Sequence, residues 1–203
     1  MCQRMREVFA VPQRILLLCL LHFCTCAAAE TVDPKTLMSI VKNFEKQLGN
    51  MGQYAVAFRV EKHRCLKGSD YPSKELLTKV KEKLQSNEVY VSDDLIAAKR
   101  NGNEHSEFRL KNHLKNILKD EDECVGFFTV NSPCLKTCLA ESGPYSVKDS
   151  LVLLEKYVGI KAFAFKKIWQ HDKEEEVVKR LKEIANDLPY YQCERNKAKC
   201  DCL

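Results

Sequence analysis

The 203-residue chain carries 33 lysine and arginine residues against 28 aspartate and glutamate residues, a formal net charge of +5. This excess is smaller than a strong nucleic-acid binder usually carries, so it neither indicates nor excludes nucleic-acid binding. No internal repeat, low-complexity tract or Pro/Gly/Ser-rich linker interrupts the chain, which excludes repeat architectures and favours one domain.

Residues 1–29 have the organisation of a secretory signal peptide. Three arginines precede a short apolar run at 15–21, and three alanines at 27–29 form a small-residue exit. The run is shorter than the roughly 20 apolar residues that a membrane span needs. The alternative is an uncleaved anchor or a buried first helix. Because no second long apolar run follows, we expect a soluble, secreted mature chain. Removal of three arginines and one glutamate lowers its net charge from +5 to +3.

Cysteine is the second indicator of the compartment. Of the eleven cysteines, four lie in residues 1–29. The seven that remain are Cys65, Cys124, Cys134, Cys138, Cys193, Cys200 and Cys202. In a secreted protein, the default expectation is disulfides, which would also tie down the Cys-rich C-terminal tail. Seven is odd, and five would remain after two metal ligands, so parity does not decide between the roles.

Hydrophobic periodicity predicts alternating helices and strands. The first helix is expected to begin at Asp33-Pro34, an N-cap and a first helical residue, and to end at Gly49. Further helices are expected at 73–84, 105–118, 152–157 and 175–184, and strands at 54–60, 89–91 with 95–98, 125–130 and 161–167. This alternation predicts a three-layer α/β/α domain with a central mixed sheet.

Two short motifs carry the chemistry: His-Ser-Glu at 105–107 and Pro-Cys-Leu-Lys-Thr-Cys at 133–138. One histidine and two cysteines, His105, Cys134 and Cys138, are a sufficient ligand set for a catalytic zinc with an open fourth position. Glu107 is placed to move protons to and from a water there. Each motif begins where a predicted turn or strand passes into a helix. The four-residue step is expected to put both cysteines on one helix face.

Each of these residues also has an ordinary explanation. His105 and Glu107 suit the first turn of a surface helix. Cys134 and Cys138 could pair with Cys65 or Cys124 in an oxidising compartment. All four residues together, in this order and on these elements, favour a zinc site.

The arrangement resembles the AID/APOBEC-like cytidine deaminases, most closely their secreted animal branch, over about residues 54–180. The resemblance implies a cytidine deaminase-like fold, Zn²⁺ held by His105, Cys134 and Cys138, and Glu107 as the catalytic acid and base. It implies one deaminase-like domain over 30–203. The cysteines are spaced C-x-x-x-C rather than C-x-x-C. Residues 130–132, Val-Asn-Ser, replace the tryptophan-containing run on which the family's polynucleotide binding usually draws.

The resemblance also suggests substrate contacts. By the order of elements, residues 168–172 match the family's substrate-recognition loop, so Trp169 and His171 are candidates to stack on a base and touch a phosphate. Asn103 is a candidate sugar contact. The alternatives are that Trp169 covers the core and that the Asn-Gly-Asn run at 101–103 is only a turn.

The sequence therefore predicts a secreted zinc-dependent hydrolytic deaminase that converts cytosine to uracil in single-stranded nucleic acid or in a nucleoside. Secretion and the resemblance together suggest a role in host defence. The alternative is a secreted, disulfide-stabilised binding protein without catalysis. The choice between polymer and nucleoside stays open.

Overall fold

A seven-stranded mixed sheet forms the centre of the protein. The computed structural model of the chain describes residues 30–119, 123–194 and 196–203, and the predicted signal peptide lies outside them. The strands are β1 (Tyr54–Glu61), β2 (Tyr90–Val91), β3 (Leu95–Lys99), β4 (Glu123–Asn131), β5 (Ile160–Lys167), β6 (Tyr190–Gln192) and β7 (Asp201–Cys202). The helices are α1 (Pro34–Leu48), α2 (Lys62–Leu66), α3 (Lys74–Gln85), α4 (Ser106–Leu110), α5 (Lys148–Glu155) and α6 (Glu174–Ile184). None of these described helices is long and apolar enough to cross a membrane.

The strand order is β2-β3-β1-β4-β5-β6-β7. Strand β1 runs antiparallel to β3 and β4, whereas β4, β5 and β6 run parallel to one another. The register opposes Phe58 of β1 to Gly126 of β4. A Cβ atom at position 126 would lie 2.2 Å from the Phe58 ring, so only glycine leaves room for this aromatic side chain.

The sheet separates two apolar cores, and successive residues of β1 belong to them in alternation. Val56 and Phe58 point into a core with α1 and α3, whereas Ala55 and Ala57 point into a second core with α4, α5 and α6. Helices therefore cover both faces of a mixed sheet. The predicted three-layer α/β/α architecture is confirmed.

The first helix begins and ends as predicted. The Asp33 carboxylate accepts a hydrogen bond from the Thr36 backbone N–H at 2.8 Å, which satisfies a donor that the helix leaves open. Gly49 stands at its C-cap.

Three helix predictions were wrong in part or in full. The helix predicted at 152–157 begins earlier, at Lys148, and ends at Glu155. The helix after His105 stops at Leu110 and continues as a 3₁₀ helix over Lys111–Asn116, although Leu114 still faces the core. The cysteine motif is not helical. Its turn at 135–138 closes with a hydrogen bond from the Leu139 N–H to the Cys134 carbonyl, one residue wider than an α-helical bond.

Two disulfides join described cysteines. Cys65 in α2 is bonded to Cys124 in β4, and Cys193 is bonded to Cys200 in the C-terminal tail. Cys202 is exposed and unbonded. The expected disulfides, including one in the tail, are therefore confirmed.

Candidate metal and proton-transfer site

Three side chains that could hold a metal ion meet at the start of α4. His105 is the N-cap residue of that helix, and Cys134 and Cys138 lie in the segment that follows β4. The Nδ1 atom of His105 is 3.1 Å from the Sγ atom of Cys138 and 3.7 Å from that of Cys134. The three ligand atoms all lie within 4.8 Å of one another.

The spacing of the two sulfur atoms tests whether this group suits zinc. With Zn–S bonds of about 2.3 Å, two ligands of a tetrahedral site have sulfur atoms about 3.8 Å apart. The Sγ atoms of Cys134 and Cys138 are 3.7 Å apart. Thiolate and imidazole are also the ligand types that zinc favours. The donor set fits zinc with three protein ligands.

The bonding state of the cysteines bears on the alternative that Cys134 and Cys138 form disulfides. Cys134 and Cys138 are buried and unbonded, while Cys65 and Cys124 are bonded to each other. The structure thus does not form the pairs that would have removed the candidate ligands.

The pKa values of the two thiols shift in opposite directions. The hydrogen bond with Cys138 lowers the pKa of Cys134 to about 3, and the same contact, together with burial, raises the pKa of Cys138. The hydrogen bond with Cys134 raises the pKa of His105. A bound cation favours the deprotonated form of every ligand, so it would release the protons that these groups share.

Glu107, two residues after His105, is buried. Its Oε1 atom accepts a hydrogen bond from the Thr129 hydroxyl at 2.8 Å and a longer one from the Gln53 amide nitrogen at 3.5 Å. Its Oε2 atom accepts one from the Ser106 hydroxyl at 3.0 Å. Burial raises the pKa of Glu107, against the lowering effect of the Thr129 and Ser106 bonds. A carboxyl group in such a place is suited to proton exchange.

The comparison with protein families shows the family of the chain. The family model described as Secreted Novel AID/APOBEC-like Deaminase 1 matches residues 34–203. The chain belongs to this family. The match begins at the first residue of α1 and reaches the C-terminus, so it contains all the helices and strands named above. No curated protein matches the chain.

In this member of the AID/APOBEC-like family, the sequence motifs do not include the residues that surround Glu107. No motif contains Gln53, Thr129 or Asn131, because each stands alone in an apolar or loop segment. A signal was nevertheless available for two of them. Thr129 and Asn131 are polar residues at alternate positions near the end of a strand whose residues 124–128 are apolar, which places them on one face of the sheet.

The segment after β5 lies against the cysteine segment. The Trp169 backbone N–H donates to the Ser132 hydroxyl at 2.9 Å, and the Asp172 carboxylate accepts from the Leu135 N–H at 3.0 Å. Trp169 is half-buried, packs on the second core and meets the His171 ring edge-on, with ring centroids 5.3 Å apart. Packing and substrate contact are both compatible with this position.

Asn103 lies exposed in the turn that precedes His105. That turn is closed by mutual backbone hydrogen bonds between Asn101 and Glu104. The turn prediction is confirmed.

Proposed function

We propose that this chain is a secreted zinc-dependent hydrolytic deaminase that converts cytosine to uracil in single-stranded nucleic acid or in a nucleoside. The convergence of His105, Cys134, Cys138 and the buried Glu107 at one helix start carries the proposal. Family membership supports it. The proposal includes a single domain over 30–203, released after a signal peptide at 1–29, and a role in host defence.

The reaction adds water to C4 of cytosine and releases ammonia, leaving uracil. His105, Cys134 and Cys138 would hold the Zn²⁺, which when bound supplies a nucleophilic water at neutral pH. Glu107 takes a proton from that water. It passes that proton to the ring nitrogen. It then takes the second proton of the added water from the new C4 hydroxyl and delivers it to the departing amine, so that no proton is lost or gained overall.

Burial suits Glu107 to both halves of this cycle. Its raised pKa brings the carboxyl group closer to the pH at which it can both accept and donate a proton. The Thr129 and Ser106 hydroxyls each bind a different carboxylate oxygen, which fixes the plane of the group. The proton donor is therefore positioned before substrate arrives.

Three further residues are proposed as substrate contacts. Trp169 offers an aromatic face for the base, His171 beside it can contact a phosphate, and Asn103 can contact the sugar. A flat response of substrate affinity to salt would favour a nucleoside, because phosphate contacts make affinity fall steeply as salt increases.

The alternative of a non-catalytic binding protein predicts that Cys134 and Cys138 form disulfides. Finding both as free thiols in peptides digested without reduction would count against it. The structure describes both as unbonded.

The decisive experiment combines metal content with turnover. We expect about one zinc per chain in the wild type and its loss in His105→Ala. Glu107→Gln should keep zinc and fold but lose turnover of cytidine and of a cytosine-containing single-stranded oligonucleotide. Glu104→Gln, a matched change three residues earlier, should keep turnover. A fully active Glu107→Gln protein would show that the assigned mechanism is wrong.

A further inference from the structure

Two hydrogen bonds in series connect the carboxylate of Glu107 to the end of strand β4. The Gln53 Nε2 atom donates to Glu107 Oε1 at 3.5 Å, and the Asn131 Nδ2 atom donates to Gln53 Oε1 at 2.9 Å. The Gln53 nitrogen therefore faces Glu107, whose Oε1 atom also accepts from the Thr129 hydroxyl. The Gln53 oxygen faces Asn131, which presents its own nitrogen. The orientation of both amides follows from these two donor–acceptor pairs.

The two amides are held by the sheet. The β1–β4 register opposes Ala55 to Thr129. The strands are antiparallel, so Gln53, two residues before Ala55, and Asn131, two residues after Thr129, lie at the same end of the pair. Both side chains fall on the same face as Thr129. That face carries the metal-binding cysteines and Glu107. Gln53 therefore occupies a place at the site that the strand pairing defines.

The side-chain oxygen of Asn131 accepts no hydrogen bond from the described residues in this position. It is 7% exposed, and its Oδ1 atom is buried with no donor among the described residues. A buried acceptor without a donor lowers stability, and native proteins retain few of them. The arrangement instead directs the whole amide of Asn131 toward Gln53, which points to a role for the orientation of Gln53.

The half-buried Gln53 side chain also has a donor to spare. Its amide nitrogen carries two N–H groups, and Glu107 takes one of them at a long distance. The other lies beside the carboxylate that would protonate the substrate ring.

We propose that Gln53 is a substrate-recognition residue whose second N–H donates to the ring carbonyl of cytosine, while Asn131 holds its amide in place. This inference rests on the proposed deaminase function. In cytosine, the carbonyl oxygen is next to the ring nitrogen that receives the proton. In adenine, the corresponding position is a C–H group, which accepts no such bond. Gln53 thus selects cytosine over adenine.

The test uses the zinc-loaded full chain with Gln53→Met, Asn131→Leu and the double variant. Gln53→Met keeps the length of the side chain and removes both donors. The substrate is cytidine or, if only a polymer is turned over, a cytosine-containing oligonucleotide. Binding of the matching uracil product, measured by calorimetry, gives a readout that does not depend on turnover. Asn50→Leu, an exposed amide three residues earlier, is the matched control.

Loss of one hydrogen bond predicts a roughly tenfold rise in KM and a similar loss of product affinity for Gln53→Met, with kcat changed less. Zinc per chain should stay near that of the wild type, and thermal unfolding shows whether each variant is folded. Because Asn131 acts through Gln53, the double variant should be no worse than Gln53→Met alone. If Asn131→Leu does not fold, Asn131→Ser replaces it as the single variant and in the double variant.

Unchanged KM and product affinity in Gln53→Met, in a protein whose wild type deaminates cytosine, would overturn this inference alone. Effects that multiply in the double variant would overturn the role of Asn131. A zinc-loaded wild type that turns over neither substrate would overturn the proposed function and this inference together.

Discussion

The hydroxyl group of Thr129, in the middle of the sheet, donates to the Oε1 atom of Glu107 in α4 at 2.8 Å. Both residues are almost fully buried. The bond links a rigid central strand to the first turn of a very short helix. The sheet therefore sets the position of the carboxylate that would move protons.

Thr129→Val tests this link, because valine keeps the shape of threonine and removes the hydroxyl. We expect zinc content to be retained and kcat to fall roughly fivefold, with KM little changed, since a positioning bond worth about 1 kcal/mol is lost. Thr129→Ser restores the donor and should recover most of the activity. Steady-state kinetics of the three proteins at equal zinc content decides the matter. Equal loss in the serine variant would indicate a packing role.

Asp172 connects the segment after β5 to the cysteine segment, since its carboxylate accepts from the N–H of Leu135, the residue after Cys134. Groups that orient metal ligands typically contribute 10- to 100-fold in metal affinity. We therefore expect Asp172→Ala to weaken zinc binding by at least roughly tenfold in a competition with a chelator. Asp172→Asn keeps an acceptor oxygen and should bind zinc nearly as well as the wild type. Equal affinities in all three would remove this role from Asp172.

The fold could be predicted further than the site. The spacing of apolar residues predicts the long helices and the buried strands, because each of these elements buries an apolar surface. Caps such as Asp33 predict where a helix begins. The short elements around the site were harder. Helix α4 ends at Leu110 and passes into a 3₁₀ helix. The cysteine segment forms a turn in which the Leu135 N–H donates to Asp172, a contact between distant parts of the chain. Propensity does not record such contacts.

Within the site, the residues with distinctive chemistry were predictable and their partners were not. His105, Glu107 and the two cysteines form a recognisable order in the chain. Gln53 is hydrogen-bonded to Glu107, although the two residues lie 54 positions apart in the sequence. The pairing of β1 with β4 brings Gln53 to this place. A single glutamine before a strand carries no such information in one sequence.

The two disulfides should differ in their contribution to stability. Cys65–Cys124 closes a loop with a sequence separation of 59, and Cys193–Cys200 one with a separation of 7. In the loop-entropy description, these are worth about 4 and about 2 kcal/mol respectively. Urea unfolding of the two double-alanine variants should show this order. A tail variant as unstable as the other would mean that native contacts of the tail, rather than loop length, dominate.

The cap of α1 gives a prediction with a defined pH dependence. Burial disfavours the ionised form of Asp33, but the hydrogen bonds from Thr36 outweigh it and lower the pKa of the carboxyl group below its usual value of 3.8. A lowered pKa in the folded state means that the stabilisation is present above pH 3.8 and is lost as the pH falls through the folded-state value.

At pH 7, Asp33→Ala should therefore lower the free energy of unfolding by about 1 kcal/mol, the usual cost of losing an N-cap. Asp33→Asn retains a capping oxygen but no charge, so it should lose less at pH 7 and should not share the acid-dependent loss of the wild type. Urea unfolding of the three proteins between pH 7 and about pH 3 measures both effects. If the gap between wild type and Asp33→Asn were the same at both ends of this range, the ionised carboxylate would have no part in stabilising α1.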